Sequence, residues 1–139
     1  MLNADTHNTI LLVEDDLIDI RTVEEVVDRL QINASLFIAQ TKDDAIYYLN
    51  KCKEYLPSII FLDIDMPSIN GMEFLRTLKE NRQYRTIPIV LLTASKESKI
   101  QYTFLHSNIA GYLLKSIDSQ ELRELINILN SCWRTSEVM

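Results

Sequence analysis

At 139 residues the chain is long enough to bury a real core and too short for two ordinary domains. Its 14 Lys and Arg against 20 Asp and Glu leave a net charge of −6 with no basic cluster, which argues against direct nucleic-acid binding. The polar stretch Met1 to Thr9 is no signal peptide, and no apolar run approaches membrane-spanning length, so a cytoplasmic protein without membrane contact is expected.

Strand-like and helix-like segments alternate along the chain. Thr9–Glu14 is a continuous apolar run, the mark of a strand buried on both faces. Asp16–Leu30 follows with a helical stripe of Ile20, Val23, Val27 and Leu30. Ser35–Gln40 reads as the second strand, and Thr41-Lys42-Asp43-Asp44 opens a helix in capping-box fashion. That helix is expected to run to about Tyr55, with Pro57 ending it. Cys52 within it, like Cys132 near the end of the chain, lacks metal or redox spacing and reads as a free thiol of a reducing compartment. Ser58–Asp63 is the third strand. The turn Met66–Gly71 leads into a helix over Met72–Asn81, with Gly71 expected to supply a positive φ. Pro88 introduces the fourth strand, which stops at Thr93, and Lys96–Asn108 reads as a helix. Gly111–Lys115 is the fifth strand. Asp118-Ser119-Gln120-Glu121 then caps a last helix carrying Leu122, Leu125, Ile126, Leu129 and Trp133. His7 and His106 show no ligand pairing.

Five strand–helix units imply one α/β domain over residues 9–133, a parallel sheet with helices on both faces, flanked by loose termini at 1–8 and 134–139. Parallel strands bring their carboxyl ends to one edge of the sheet. The first run ends in Glu14-Asp15-Asp16, the third in Asp63, the fourth in Thr93 and the fifth in Lys115. Carboxylates, a hydroxyl and an ammonium would thus share one crevice. Two carboxylates about 4 Å apart repel by roughly 4 kcal/mol at an effective dielectric near 20. Packing Glu14, Asp15 and Asp63 together therefore calls for raised pKa values or a cation. Mg²⁺ suits the site, being hard, oxygen-seeking and able to bridge carboxylate to phosphate. Taken singly, each residue also has an ordinary role: carboxylates after buried strands cap helices, Thr93 can cap one, and Lys115 can snorkel.

Val13-Glu14-Asp15-Asp16, Phe61-Leu62-Asp63-Ile64-Asp65-Met66-Pro67 with Asn70-Gly71, Leu92-Thr93-Ala94-Ser95 and Tyr112-Leu113-Leu114-Lys115 occur in that order at strand ends. Together they resemble the receiver domain of two-component response regulators, from Thr9 to about Trp133. The length and the Val-Glu-Asp-Asp form are also similar to the stand-alone regulators paired with bacterial phytochromes. The resemblance implies a flavodoxin-like sheet of order 2-1-3-4-5. It implies that Asp15 and Asp63 ligate Mg²⁺ directly, with the backbone carbonyl of Asp65 as a third ligand and Glu14 acting through water. Asp63 would become an aspartyl phosphate, with Thr93 and Lys115 holding the transferred oxygens and Tyr112 as the rotamer switch.

The implied partners are a sensor histidine kinase or phosphotransfer protein, and a downstream protein that the sequence does not name. With no output domain expected, signalling would run through protein binding, through a homodimer or by passing the phosphoryl group on. One departure stands out. The family usually has proline after the lysine of the fifth strand, and here Ser116 follows Lys115. A cis bond costs about 2.5–4 kcal/mol without proline, so a trans Lys115–Ser116 peptide is expected. A rival reading from another class is a small phosphohydrolase of the haloacid dehalogenase type, prompted by Asp63-Ile64-Asp65. Those enzymes carry that pair on their first strand, however, with the other acidic residues downstream. A third reading, a binding module of the same fold that is not phosphorylated, is disfavoured by the complete acceptor set.

Overall fold

The computed structural model describes residues 8–29, 34–66, 71–93 and 110–114. Five strands, β1 (Asn8–Val13), β2 (Ala34–Ala39), β3 (Ile59–Asp63), β4 (Ile89–Thr93) and β5 (Gly111–Leu114), pair in parallel in the order β2-β1-β3-β4-β5. This is the flavodoxin-like order expected above. The described helices are α1 (Leu17–Arg29), α2 (Lys42–Lys51) and α3 (Gly71–Glu80). The helices expected over 96–108 and from 118 onward lie outside the described residues, as do both chain termini.

The unbroken apolar runs of β1, β3 and β4 are explained by burial on both faces. Along β1, Ile10 and Leu12 face a cluster with Ile20, Val23, Val26 and Val27 of α1, joined by Phe61, Val90 and Leu92. Leu11 and Val13 face the other side, where Ala45 and Leu49 of α2 and Phe74, Leu75 and Leu78 of α3 pack over Ile60, Leu62 and Leu91. Alternation along the strands thus divides one apolar run between two cores. Val26 adds to the α1 stripe read from the sequence. As the edge strand, β2 is covered less, and Phe37 remains exposed while stacking on Tyr48 of α2 at 4.9 Å between centroids.

Thr41 caps α2 as its sequence predicts, accepting from the Asp44 N–H at 3.0 Å. The helix nevertheless stops at Lys51 rather than near Tyr55. Its buried stripe ends at Leu49, and Lys53 and Glu54 are exposed, so no core contact rewards another turn. Instead the Cys52 N–H closes back on the carbonyls of Tyr48 and Leu49, and Tyr55 N–H bonds the Cys52 carbonyl at 2.9 Å. Burial, with the Cys52 thiol beside it, pushes the Tyr48 hydroxyl up to about 12. Across the same core face, the Tyr84 hydroxyl donates to Asn50 Oδ1, tying the α3–β4 connection to α2.

Gly71 has a different reason from the one its sequence suggests. It is the first residue of α3, and no positive φ is found there. A Cβ at this position would lie 2.6 Å from Ile64 Cα, so glycine is needed for the close approach of α3 to the segment after β3.

Candidate functional site

The register sets the site. Val13 of β1 stands opposite Leu62 of β3, so the next residues, Glu14 and Asp63, leave the apolar sheet side by side. Glu14 still belongs to the ladder through its N–H, which donates to the Ala39 carbonyl at 3.0 Å. Both carboxylate residues are buried, at 0% and 1% exposure. Asp15 follows at once, and one carboxylate oxygen from each of Glu14, Asp15 and Asp63 can be chosen so that all lie within 4.8 Å of one another.

Backbone amides hold two of these side chains. The Asp65 N–H donates to Asp63 Oδ1 at 2.8 Å, and the Asp16 N–H donates to Glu14 Oε2 at 3.2 Å. Asp16 Oδ1 in turn accepts from the N–H groups of Ile18 and Asp19, at 2.8 and 3.2 Å, capping α1. On the opposite flank the Ile64 N–H reaches the Leu92 carbonyl at 3.1 Å, fixing the chain just after Asp63 to β4. Thr93 ends β4 and is fully buried, one strand over from Asp63, whose register partner is Leu92.

Glu14, Asp15 and Asp63 are therefore gathered as expected, with Asp65 bonded to the group and Thr93 on the adjoining strand end. Thr93 pairs with Leu114 of β5, the residue before Lys115. Lys115 itself, Ser116 and the peptide between them lie outside the described residues. Tyr112 has its backbone on β5 opposite Leu91, but its side chain also lies outside them.

The donor set fits a hard divalent cation. All three groups are carboxylates, they come from two adjacent strand ends, and two of them are buried where an ionised group requires a counter-charge. Just beyond the cluster, Leu17 and Ile18 open α1 with 67% and 76% exposure, an apolar step on the rim of an acidic crevice. Asp16 was visible in the sequence only as part of an acidic run; its position immediately before the first helical residue is the signal for its capping role.

Comparison with known proteins agrees with this geometry. The response regulator receiver domain matches residues 10–127. Response regulator Rcp1 of Synechocystis sp. is 35% identical over 128 residues, covering 89% of this chain and 87% of Rcp1. The structure of the Mn²⁺-bound form of Rcp1 superposes with a TM-score of 0.74 at 32% identity, over 91% of this chain and 94% of that one. The bacteriophytochrome response regulator RtBRR gives a TM-score of 0.78 at 28% identity, over 89% of this chain and 78% of its own.

Proposed function

This chain belongs to the response regulator receiver domain family, and from that premise we propose that Asp63 accepts a phosphoryl group from a partner histidine kinase or phosphotransfer protein. The observation that carries the reading is the convergence of Glu14, Asp15 and Asp63 at the ends of β1 and β3. An Asp63 oxygen forms the bond to phosphorus as the phosphorus–nitrogen bond of a donor phosphohistidine breaks. The imidazole keeps that electron pair and the aspartyl phosphate is the product. Asp65 holds the attacking carboxylate through its N–H on Oδ1. Thr93 and Lys115 hold the transferred oxygens as their charge is redistributed.

Asp15, Asp63 and the Asp65 carbonyl would hold Mg²⁺ directly, with Glu14 acting through water. The Mn²⁺-bound form of Rcp1 supports a divalent ion in this family. Bound Mg²⁺ supplies neutralisation of the crowded carboxylates and of the phosphoryl oxygens. The likeness to the bacteriophytochrome response regulator RtBRR supports a phytochrome-type kinase as donor, and the output in this reading is phosphorylation-dependent protein binding. Tyr112 is the switch residue in this reading, and a homodimer is one form the output could take. The family match favours a signalling phosphoacceptor over the phosphohydrolase.

Incubation with Mg²⁺ and a small acyl-phosphate donor, followed by intact mass, tests the proposal. One added phosphoryl group is expected in the wild type, and none in Asp63→Asn or without Mg²⁺. A full adduct in Asp63→Asn refutes the assignment of the acceptor.

A further inference from the structure

We infer that Asp16 is the positioning residue of the carboxylate cluster: by capping α1 it fixes the turn through which its own backbone N–H holds Glu14 toward the cation site. The inference rests on the metal-binding reading above and assigns a role to a residue outside the ligand set.

Asp16 is bonded in two directions. Its N–H donates to Glu14 Oε2 at 3.2 Å, while its Oδ1 accepts from Ile18 N–H at 2.8 Å and Asp19 N–H at 3.2 Å. Its carbonyl accepts from Ile20 N–H at 2.9 Å, the first rung of the helical ladder. The direction of the Asp16 N–H therefore follows from where α1 begins. Glu14 is fully buried and its side chain has three rotatable bonds, so an oriented donor is needed to select one carboxylate position. An alanine at 16 offers no acceptor to the orphan amides of the first turn, and the start of the helix can then fray or slip. The Asp16 N–H would lose its fixed aim at Glu14. Asp16 is exposed, so its replacement leaves both core clusters intact.

Asparagine and serine cap nearly as well as aspartate, whereas alanine does not. Asp16→Asn, Asp16→Ser and Asp16→Ala all remove the same charge, so differences among them isolate the cap from electrostatics. The experiment is titration of each full-length variant with Mg²⁺ alone, followed by backbone amide NMR, with hydrogen exchange of the residue-16 amide in the metal-free protein.

Asp16→Ala is expected to bind Mg²⁺ about tenfold more weakly than Asp16→Asn, the lower end of the losses seen when a ligand's supporting partner is removed. Asp16→Ser should follow Asp16→Asn, and the residue-16 amide should exchange faster in Asp16→Ala. Equal Mg²⁺ affinity in Asp16→Asn and Asp16→Ala overturns the inference and leaves the metal site standing. A wild-type protein that shows no saturable Mg²⁺ binding overturns the metal reading and this inference with it.

Discussion

Gly71→Ala should disable phosphorylation although Gly71 lies outside the carboxylate cluster. The added Cβ would sit 2.6 Å from Ile64 Cα and 2.9 Å from Ile64 Cβ, against an ordinary contact of 3.4–4 Å. Either α3 or the chain after β3 must therefore retreat by about 1 Å to restore carbon–carbon van der Waals contact. Ile64 cannot swing freely, because its N–H is anchored on the Leu92 carbonyl and its neighbours are Asp63 and Asp65. Alanine regains up to about 1 kcal/mol of helix propensity, while overpacking costs about 1–3 kcal/mol. The net loss of stability is thus about 0–3 kcal/mol by these terms. The kinetic loss should be larger, because a misplacement of about 1 Å can cost on the order of 100-fold in rate. The assay is the rate of labelling by a small acyl-phosphate donor at saturating Mg²⁺, read beside a thermal melt. Gly111→Ala is the control, since among the described residues a Cβ there meets nothing within 4 Å, and it should change neither quantity. Labelling of Gly71→Ala at the wild-type rate would refute the argument that this close approach sets the position of Asp63.

Asp15→Ala should weaken Mg²⁺ binding more than Glu14→Ala if the first is a direct ligand and the second acts through water; equal losses in an NMR titration would reject those roles. Ile18→Glu should slow transfer from the kinase and spare labelling by the small donor, because Ile18 is 76% exposed and an acidic residue in the first turn of α1 suits the helix dipole. Equal slowing in both reactions would indicate a defect in the site itself. Tyr48→Phe should flatten the alkaline loss of stability. With its folded-state pKa raised to about 12, Tyr48 keeps a proton that the unfolded chain loses near pH 10. Its contribution is complete below pH 10 and is lost as pH rises toward 12, so denaturant melts of wild type and Tyr48→Phe that stay parallel through that window would refute it. Asp63→Asn should stabilise the Mg²⁺-free protein, since removing one charge relieves repulsion of up to about 3–4 kcal/mol per carboxylate pair at an effective dielectric near 20. A lower melting temperature for Asp63→Asn in chelator would show that the cluster carries no such strain.

The sheet was the most legible part of the fold in the sequence. Ile10–Val13, Ile59–Leu62 and Ile89–Leu92 are apolar without interruption because helices cover both faces, and no amphipathic alternative fits such runs. The end of α2 was less legible. Pro57 marks where a helix cannot continue, whereas the helix stops where its buried stripe runs out, at Leu49 and Lys51. Gly71 illustrates a limit of another kind. Glycine before a helix fits either a left-handed turn or a close approach, and only the position of Ile64 distinguishes them. Asp16 was likewise ambiguous, because neighbouring carboxylates in a run do not reveal which one caps and which one faces the crevice.

The site itself was legible for a topological reason. Parallel strands must end at one edge, so the polar residues that close the apolar runs of β1, β3 and β4 are brought there whatever their separation in sequence. What opens that edge into a crevice is the division of the helices. After β1 the chain turns to α1, on the face of Ile10 and Leu12, while after β3 it leads to α3, on the face of Leu11 and Val13. The two connections therefore diverge immediately beyond Val13 and Leu62, and their first polar residues are left facing each other. Glu14 and Asp63 can be buried and remain adjacent because the strands beneath them are hydrogen-bonded neighbours in fixed register. A slip of one residue in that register would turn every side chain of the slipped strand to the opposite face, exchanging the two cores along with the site. The same packing that stabilises the sheet thus holds the carboxylates together against their repulsion.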